Sequence, residues 1–106
     1  MELTGFGVVL VTASSQEEAK KIAITLIENK LAACVNVTEV NSFYSWEDKI
    51  NADREWQLII KTDLSKFESL AAKIQELHSY QVPEIIALPI IGGSKNYLNW
   101  IQEQIQ

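Results

Sequence analysis

The chain has 106 residues, the length of one domain, and 47% of them are hydrophobic, enough for a single core without disulfide support. Fourteen acids against nine bases give a net charge of −5, which argues against nucleic acid or an anionic membrane surface as partner, and 22% charged residues do not make a disordered composition. The longest apolar run, Ile85 to Ile91, contains Pro89 and falls far short of the ~18 residues of a membrane span.

Met1-Glu2-Leu3-Thr4 lacks the basic opening of a secretory leader, so none is expected. Val8-Val9-Leu10-Val11 is a continuous aliphatic run and predicts a buried strand. Ser15 with Glu18 three residues on makes a capping box, and behind it Ala19, Ile22, Ala23, Leu26 and Ile27 recur at helical spacing. Asn29, which tolerates a left-handed backbone, marks the expected helix end. From Ala32 the period shortens to two: Ala33, Val35 and Val37 point one way, Cys34, Asn36 and Thr38 the other. Strand character continues through Phe43, Tyr44 and Trp46 to a tight turn at Glu47-Asp48, and a second long strand returns from Lys49 to Lys61. Thr62 and Asp63 open a second helix with Phe67, Leu70, Ala71, Ile74 and Leu77 as its apolar stripe, terminated by His78-Ser79-Tyr80. Val82 to Ile91 reads as a strand whose prolines, Pro83 and Pro89, require an edge or a bulge. Gly92-Gly93 breaks the chain, Ser94 caps, and Tyr97, Leu98, Ile101 and Ile105 mark a short last helix. The order β-α-β-β-α-β-α, with right-handed crossovers, predicts an α+β ferredoxin-like βαββαβ sandwich, one domain over residues 1–106, with an extended central hairpin and an additional C-terminal helix.

That hairpin does not fit inside the sandwich. A strand from Ala33 to Trp46 extends about 45 Å at ~3.3 Å per residue, whereas a helix of roughly fifteen residues covers about 23 Å. The overshoot carries Phe43, Tyr44, Trp46, Ile50 and Trp56. Either the sheet curls over its own rings, or neighbouring subunits cover them; the strand geometry favours the second, an obligate oligomer.

The runs Val9–Ala13, Leu31–Asn36, Tyr44–Glu47, Ile59–Thr62, Leu77–Ile85 and Tyr97–Trp100 follow one another in an order that closely resembles the CutA, or divalent-cation tolerance, family. The resemblance implies a homotrimer with its hairpins packed around the threefold axis, similar in architecture to the PII signalling trimers. It also implies a cytoplasmic bacterial or organellar protein linked to copper and other divalent metals. One departure is Asp48, where the family often has glycine; Asp suits a turn, but the tip is expected to be less relaxed.

Cys34 is the single cysteine, so no intrachain disulfide forms, which suits a reducing compartment. With one histidine, His78, a zinc ribbon or two-His site cannot be built from one chain. The candidate metal ligands are therefore His78, Cys34 and Glu84, holding Cu(II) or another divalent cation weakly; Cys34 is otherwise a small buried hydrophobe, and His78 a capping or core residue. A second set, Tyr44, Trp46, Lys61, His78, Tyr80 and Glu84, is expected to line an intersubunit cleft for a small polar ligand or partner protein, with Lys61 as cationic anchor and a possible mate for Glu84. Glu47, Asp48, Asp53 and Glu55 read as a solvated acidic hairpin tip. No Ser/His/Asp or Cys/His nucleophile set is spaced for catalysis, and no organic cofactor is expected. The only arginine, Arg54, lies mid-hairpin, against an acylphosphatase-type phosphate loop. An RNA-binding domain of this topology would need exposed aromatics among basic residues, which the strands lack. Two functions remain: a trimeric, metal-responsive copper-binding protein, and a PII-like ligand or protein-binding module.

Overall fold

The N-terminal aliphatic run forms β1 (Phe6–Ala13) in the computed structural model, which describes residues 3–106; Met1 and Glu2, part of the leader argument, lie outside them. Val9, Val11 and Ala13 are fully buried, while Val8, Leu10 and Thr12 are half-buried on the other face. The strand expected to be buried throughout is thus covered fully on one side only. α1 (Gln16–Glu28) begins at Ser15, whose hydroxyl accepts from the Glu18 N–H at 3.1 Å, and packs Ala19, Ile22 and Leu26 into the core beside β1. It ends at Asn29, the C-cap, as expected, but the left-handed residue is the next one. Asn29 still donates to Thr25 O, and the left-handed residue is Lys30 (φ 56°), with Leu31 N bonded back to Leu26 O and Lys30 N to Ile27 O as in a Schellman motif.

β2 (Cys34–Trp46) and β3 (Lys49–Asp63) pair antiparallel from Cys34↔Lys61 to Trp46↔Lys49. Glu47 (φ 52°) and Asp48 (φ 61°) are both left-handed, the geometry of a type I′ hairpin turn, which matches the twist of the strands. Asp63 accepts from the Ser65 N–H at 2.9 Å and opens a 3₁₀ turn (Leu64–Lys66) that leads into α2 (Phe67–Leu77). β4 (Ile85–Pro89) is shorter than its apolar run: Pro83 stays outside it, and Pro89 sits at the end of an edge strand, as a residue without an N–H must. α3 (Lys95–Ile105) starts at Ser94, which accepts from the Tyr97 N–H at 3.3 Å.

The sheet order is β2-β3-β1-β4, antiparallel throughout, the α+β ferredoxin-like arrangement. Leu58 and Ile60 of β3 join Val9 and Val11 under α1 and α2, with Leu70 and Ile74 from α2. A second, smaller core packs Ile101 and Ile105 of α3 on Phe6 and Ala33. Phe6 is out of phase with Val9 and Val11, so α3 covers part of the face that α1 and α2 leave open.

The hairpin runs past all three helices, and the molecule measures 44 Å in its longest dimension. Phe43 is 73% exposed, Trp46 64% and Ile50 86%. The chain does not curl over these rings. Trp56 is the exception among the residues placed on the overshoot: it pairs with Ala13 and packs half-buried against the main core.

Candidate functional site

The outer hairpin and the segment after α2 bound an open groove of about 1020 Å³, lined by Tyr44, Trp46, Asp53, Glu55, Tyr80 and Glu84 among others. His78 stands behind this lining and holds Tyr80 in place. The ring leaves α2 in extended backbone (ψ 142°) and is buried against β1. Nε2 lies 2.7 Å from Thr12 O, and Nδ1 accepts from the Tyr80 N–H at 3.0 Å. A carbonyl only accepts and a backbone N–H only donates, so these partners assign the neutral Nε2–H tautomer. The Tyr80 ring lies 4.7 Å from the imidazole, centroid to centroid, and its hydroxyl donates to Glu55 at 2.7 Å.

A third tie comes from α1. Glu18 reaches back to the Ser14 N–H (2.9 Å) and hydroxyl (3.1 Å), and its other oxygen accepts from the Ser79 N–H at 2.8 Å. Burial disfavours its charge, but the hydrogen bonds from Ser14 and Ser79 outweigh this and lower its pKa to about 2. Only half of the capping box expected at Ser15 forms, the bond from the Glu18 N–H; the Glu18 carboxylate accepts from Ser14 in place of the Ser15 N–H and also ties two segments of the fold together.

Tyr44, Tyr80 and Glu84 of the groove are all pushed upward. Burial, then the hydrogen bond to Glu55 and its charge, raise the Tyr80 phenol above the ordinary range. Burial and the neighbouring Glu55 raise the Glu84 carboxyl. Tyr44 donates to Asp53, and that bond raises its phenol too. Asp53 and Glu55 thus belong to the groove wall, and Glu55, 8% exposed, is not the solvated tip residue the sequence suggested. A signal for this was present: the turn at Glu47-Asp48 sets Tyr44 against Asn51, which makes Asp53 its diagonal neighbour on the same face.

Of the six residues expected to share a cleft, Tyr44, Trp46, Tyr80 and Glu84 line the groove, and His78 stands behind Tyr80. Within one chain Lys61 does not join them. It pairs with Cys34 and Val8, ten residues along β3 from Asn51, the partner of Tyr44, or ~33 Å of strand. Its ammonium donates to Asn36, and among the described residues the ion pairs are Arg54–Glu39 and Lys73–Glu76, so Lys61 and Glu84 form none. The metal candidates are not gathered in one subunit either, since no group of three or more His, Cys, Asp or Glu side chains forms among the described residues. Cys34 is half-buried at the start of β2 beside Tyr97, whose phenol is raised by burial and by the thiol. Thr12, which holds His78, pairs with Gln57, four residues of β3 from the Lys61 opposite Cys34, about 13 Å along the strand.

Fold and groove together define a ferredoxin-like domain with an open groove that is acidic and aromatic. The chain belongs to the CutA1 divalent ion tolerance protein family, whose model matches residues 7–104. It is 45% identical over 98 residues to the divalent-cation tolerance protein CutA of Archaeoglobus fulgidus, covering 92% of this chain and 96% of that one. It is 48% identical over 96 residues to the chloroplastic CutA of Arabidopsis thaliana, 90% of this chain but 53% of the longer plant protein. A solved structure described as the periplasmic divalent cation tolerance protein CutA from A. fulgidus superposes with a TM-score of 0.94 at 44% identity, covering 95% of this chain and 99% of that one. The CutA1 structure from Oryza sativa also gives 0.94, at 42% identity, with 98% and 96% covered. No helix among the described residues is long and apolar enough to cross a membrane.

Proposed function

We propose that the chain works as a homotrimeric, metal-responsive divalent-cation tolerance protein, with the groove completed by a neighbouring subunit. The carrying observation is the uncovered hairpin: Phe43, Trp46 and Ile50 stand in solvent on a single chain, an exposure that association relieves. The half-open sheet face, with Ile86 and Leu88 exposed beside Val8 and Leu10, supports the same reading. Metal enters this reading as a weakly held Cu(II) or other divalent ion. Both nitrogens of His78 are engaged, so a metal there must displace Thr12 O or the Tyr80 N–H, and among the described residues Cys34 belongs to no group of three or more His, Cys, Asp or Glu side chains. The lone, unbridged Cys34 supports a reducing, cytoplasmic setting. The PII-like alternative, a ligand or partner protein in the intersubunit cleft, is favoured by the groove itself.

Native mass spectrometry of metal-free protein should show three subunits that survive dilution to micromolar concentration; a folded monomer would refute the assembly. Trp46→Ala should weaken association by about 2 kcal/mol, as loss of a buried aromatic anchor does. Copper titration should give weak binding that His78→Ala reduces more than Cys34→Ser does; tight stoichiometric binding abolished only by Cys34→Ser would show the thiol to be the ligand.

A further inference from the structure

Lys61 and Glu84 are both left without a mate inside one chain. β3 turns Leu58, Ile60 and Thr62 into the core, so Glu55, Gln57, Ile59 and Lys61 alternate to the open sheet face. Lys61 stands toward the α3 end of that face, half-buried between its registered neighbours Val8 and Cys34. Its ammonium donates to the Asn36 amide, a neutral acceptor, and no carboxylate pairs with it among the described residues. Glu55 lies six residues back along the same strand, ~20 Å away. There the groove gathers Asp53, Glu55 and Glu84 with no Lys or Arg in its lining. Asp53 and Glu55 accept from the Tyr44 and Tyr80 hydroxyls. Glu84 has the charge of Glu55 beside it and enters no ion pair among the described residues. Between the two ends, Val8 and Leu10 of β1 with Ile86 and Leu88 of β4 form an apolar strip, its β4 side half-exposed.

We propose that Lys61 of one subunit pairs with Glu84 of the next, so that the groove which one chain leaves without a cation receives it from a second copy. This rests on the assembly proposed above and names the polar contact that orients it. Covering the hairpin and the open face takes both charges out of water, where an ion without a counter-charge is strongly disfavoured. Within one chain the sheet itself holds cation and acid apart, so the counter-charge comes from another copy. Opposite signs at the two ends of one face are complementary when copies pack head to tail, and such a contact repeated three times closes a ring. Each subunit then gives its Lys61 to one neighbour and receives another's at Glu84. The apolar hairpin supplies most of the association, and the ion pair fixes its register.

The test is the rate at which subunits exchange between unlabelled and nitrogen-15-labelled full-length protein, followed by native mass spectrometry at equal concentration. Lys61→Glu and Glu84→Lys should each speed exchange at least about tenfold, because each sets like charges together. The double variant should return to within about threefold of wild type. Lys61→Gln and Glu84→Gln give a milder cycle that holds if a charge reversal fails to fold. Each should speed exchange about three- to tenfold, and the two together no more than one alone. Pairing between subunits is read from mixtures. Labelled Lys61→Glu with unlabelled Glu84→Lys should form mixed trimers in excess of random proportions, since every contact between unlike copies then joins opposite charges. Independent effects at the two positions, or mixed trimers at random proportions, overturn the proposal. A folded wild-type monomer refutes the assembly and the pair together, whereas a trimer in which the two positions act independently refutes the pair alone.

Discussion

Replacing Glu18 by glutamine removes one charge from a side chain that ties α1 to the segment after α2. The carboxylate receives hydrogen bonds from the Ser14 N–H, the Ser14 hydroxyl and the Ser79 N–H, at 2.9, 3.1 and 2.8 Å. Its pKa falls from 4.5 to about 2 on folding. Each pKa unit is worth about 1.4 kcal/mol, so full shielding would make this roughly 3 kcal/mol; Glu18 is only partly covered, and solvent screening reduces the expectation to about 1–2 kcal/mol. Because the folded pKa is the lower one, this stability is fully present above the unfolded pKa of 4.5 and is lost as pH falls toward 2. Urea unfolding of wild type and Glu18→Gln, at equal protein concentration because subunit association contributes, should therefore differ by about 1–2 kcal/mol at pH 7 and converge between pH 4.5 and 2. Amide exchange at Ser79 and Tyr80 should speed up in the variant more than exchange in β1, since the tether is local. A difference that persists undiminished at pH 2.5, or none at pH 7, would refute the assignment of Glu18 as an ionised tether.

Two further substitutions probe the backbone. Glu47→Asn with Asp48→Gly should stabilise the protein by about 1 kcal/mol, because both positions are left-handed and the wild-type side chains are costly there; thermal unfolding that is unchanged would show the turn to be unstrained. Gly7→Ala should destabilise by about 1–3 kcal/mol, since an added Cβ would lie 2.8 Å from Leu88 O and against the Leu64 side chain; wild-type stability would show that β4 yields freely.

The elements were legible because their signals are local. Period two in β2, the spacing Ala19, Ile22, Leu26 in α1, and the caps Ser15 and Ser94 all act within a few residues and form where their patterns place them, whereas Asp63, expected to open α2, caps a 3₁₀ turn and α2 starts only at Phe67. The overshoot of the hairpin needed only strand rise and chain length. Even the Tyr44–Asp53 contact is implied by the turn, which fixes hairpin register.

The site is where local reasoning ran out. Lys61 shares a sheet face with Tyr44 by parity, yet antiparallel pairing carries the two to opposite ends of a long strand. His78 ends a helix, as its position suggests, but its tautomer depends on Thr12, 66 residues away, and on the turn of chain that returns the Tyr80 N–H. Glu18 announces a helix start; that it also holds Ser79, 61 residues on, follows only once α1 and α2 lie side by side. Short-range periodicity and capping are written into neighbouring residues, so the sequence alone determined the elements, their order and the excess length of the hairpin. Hydrogen bonds between residues distant in the chain depend on how packed elements align, and that alignment decided which of the candidate side chains face one groove.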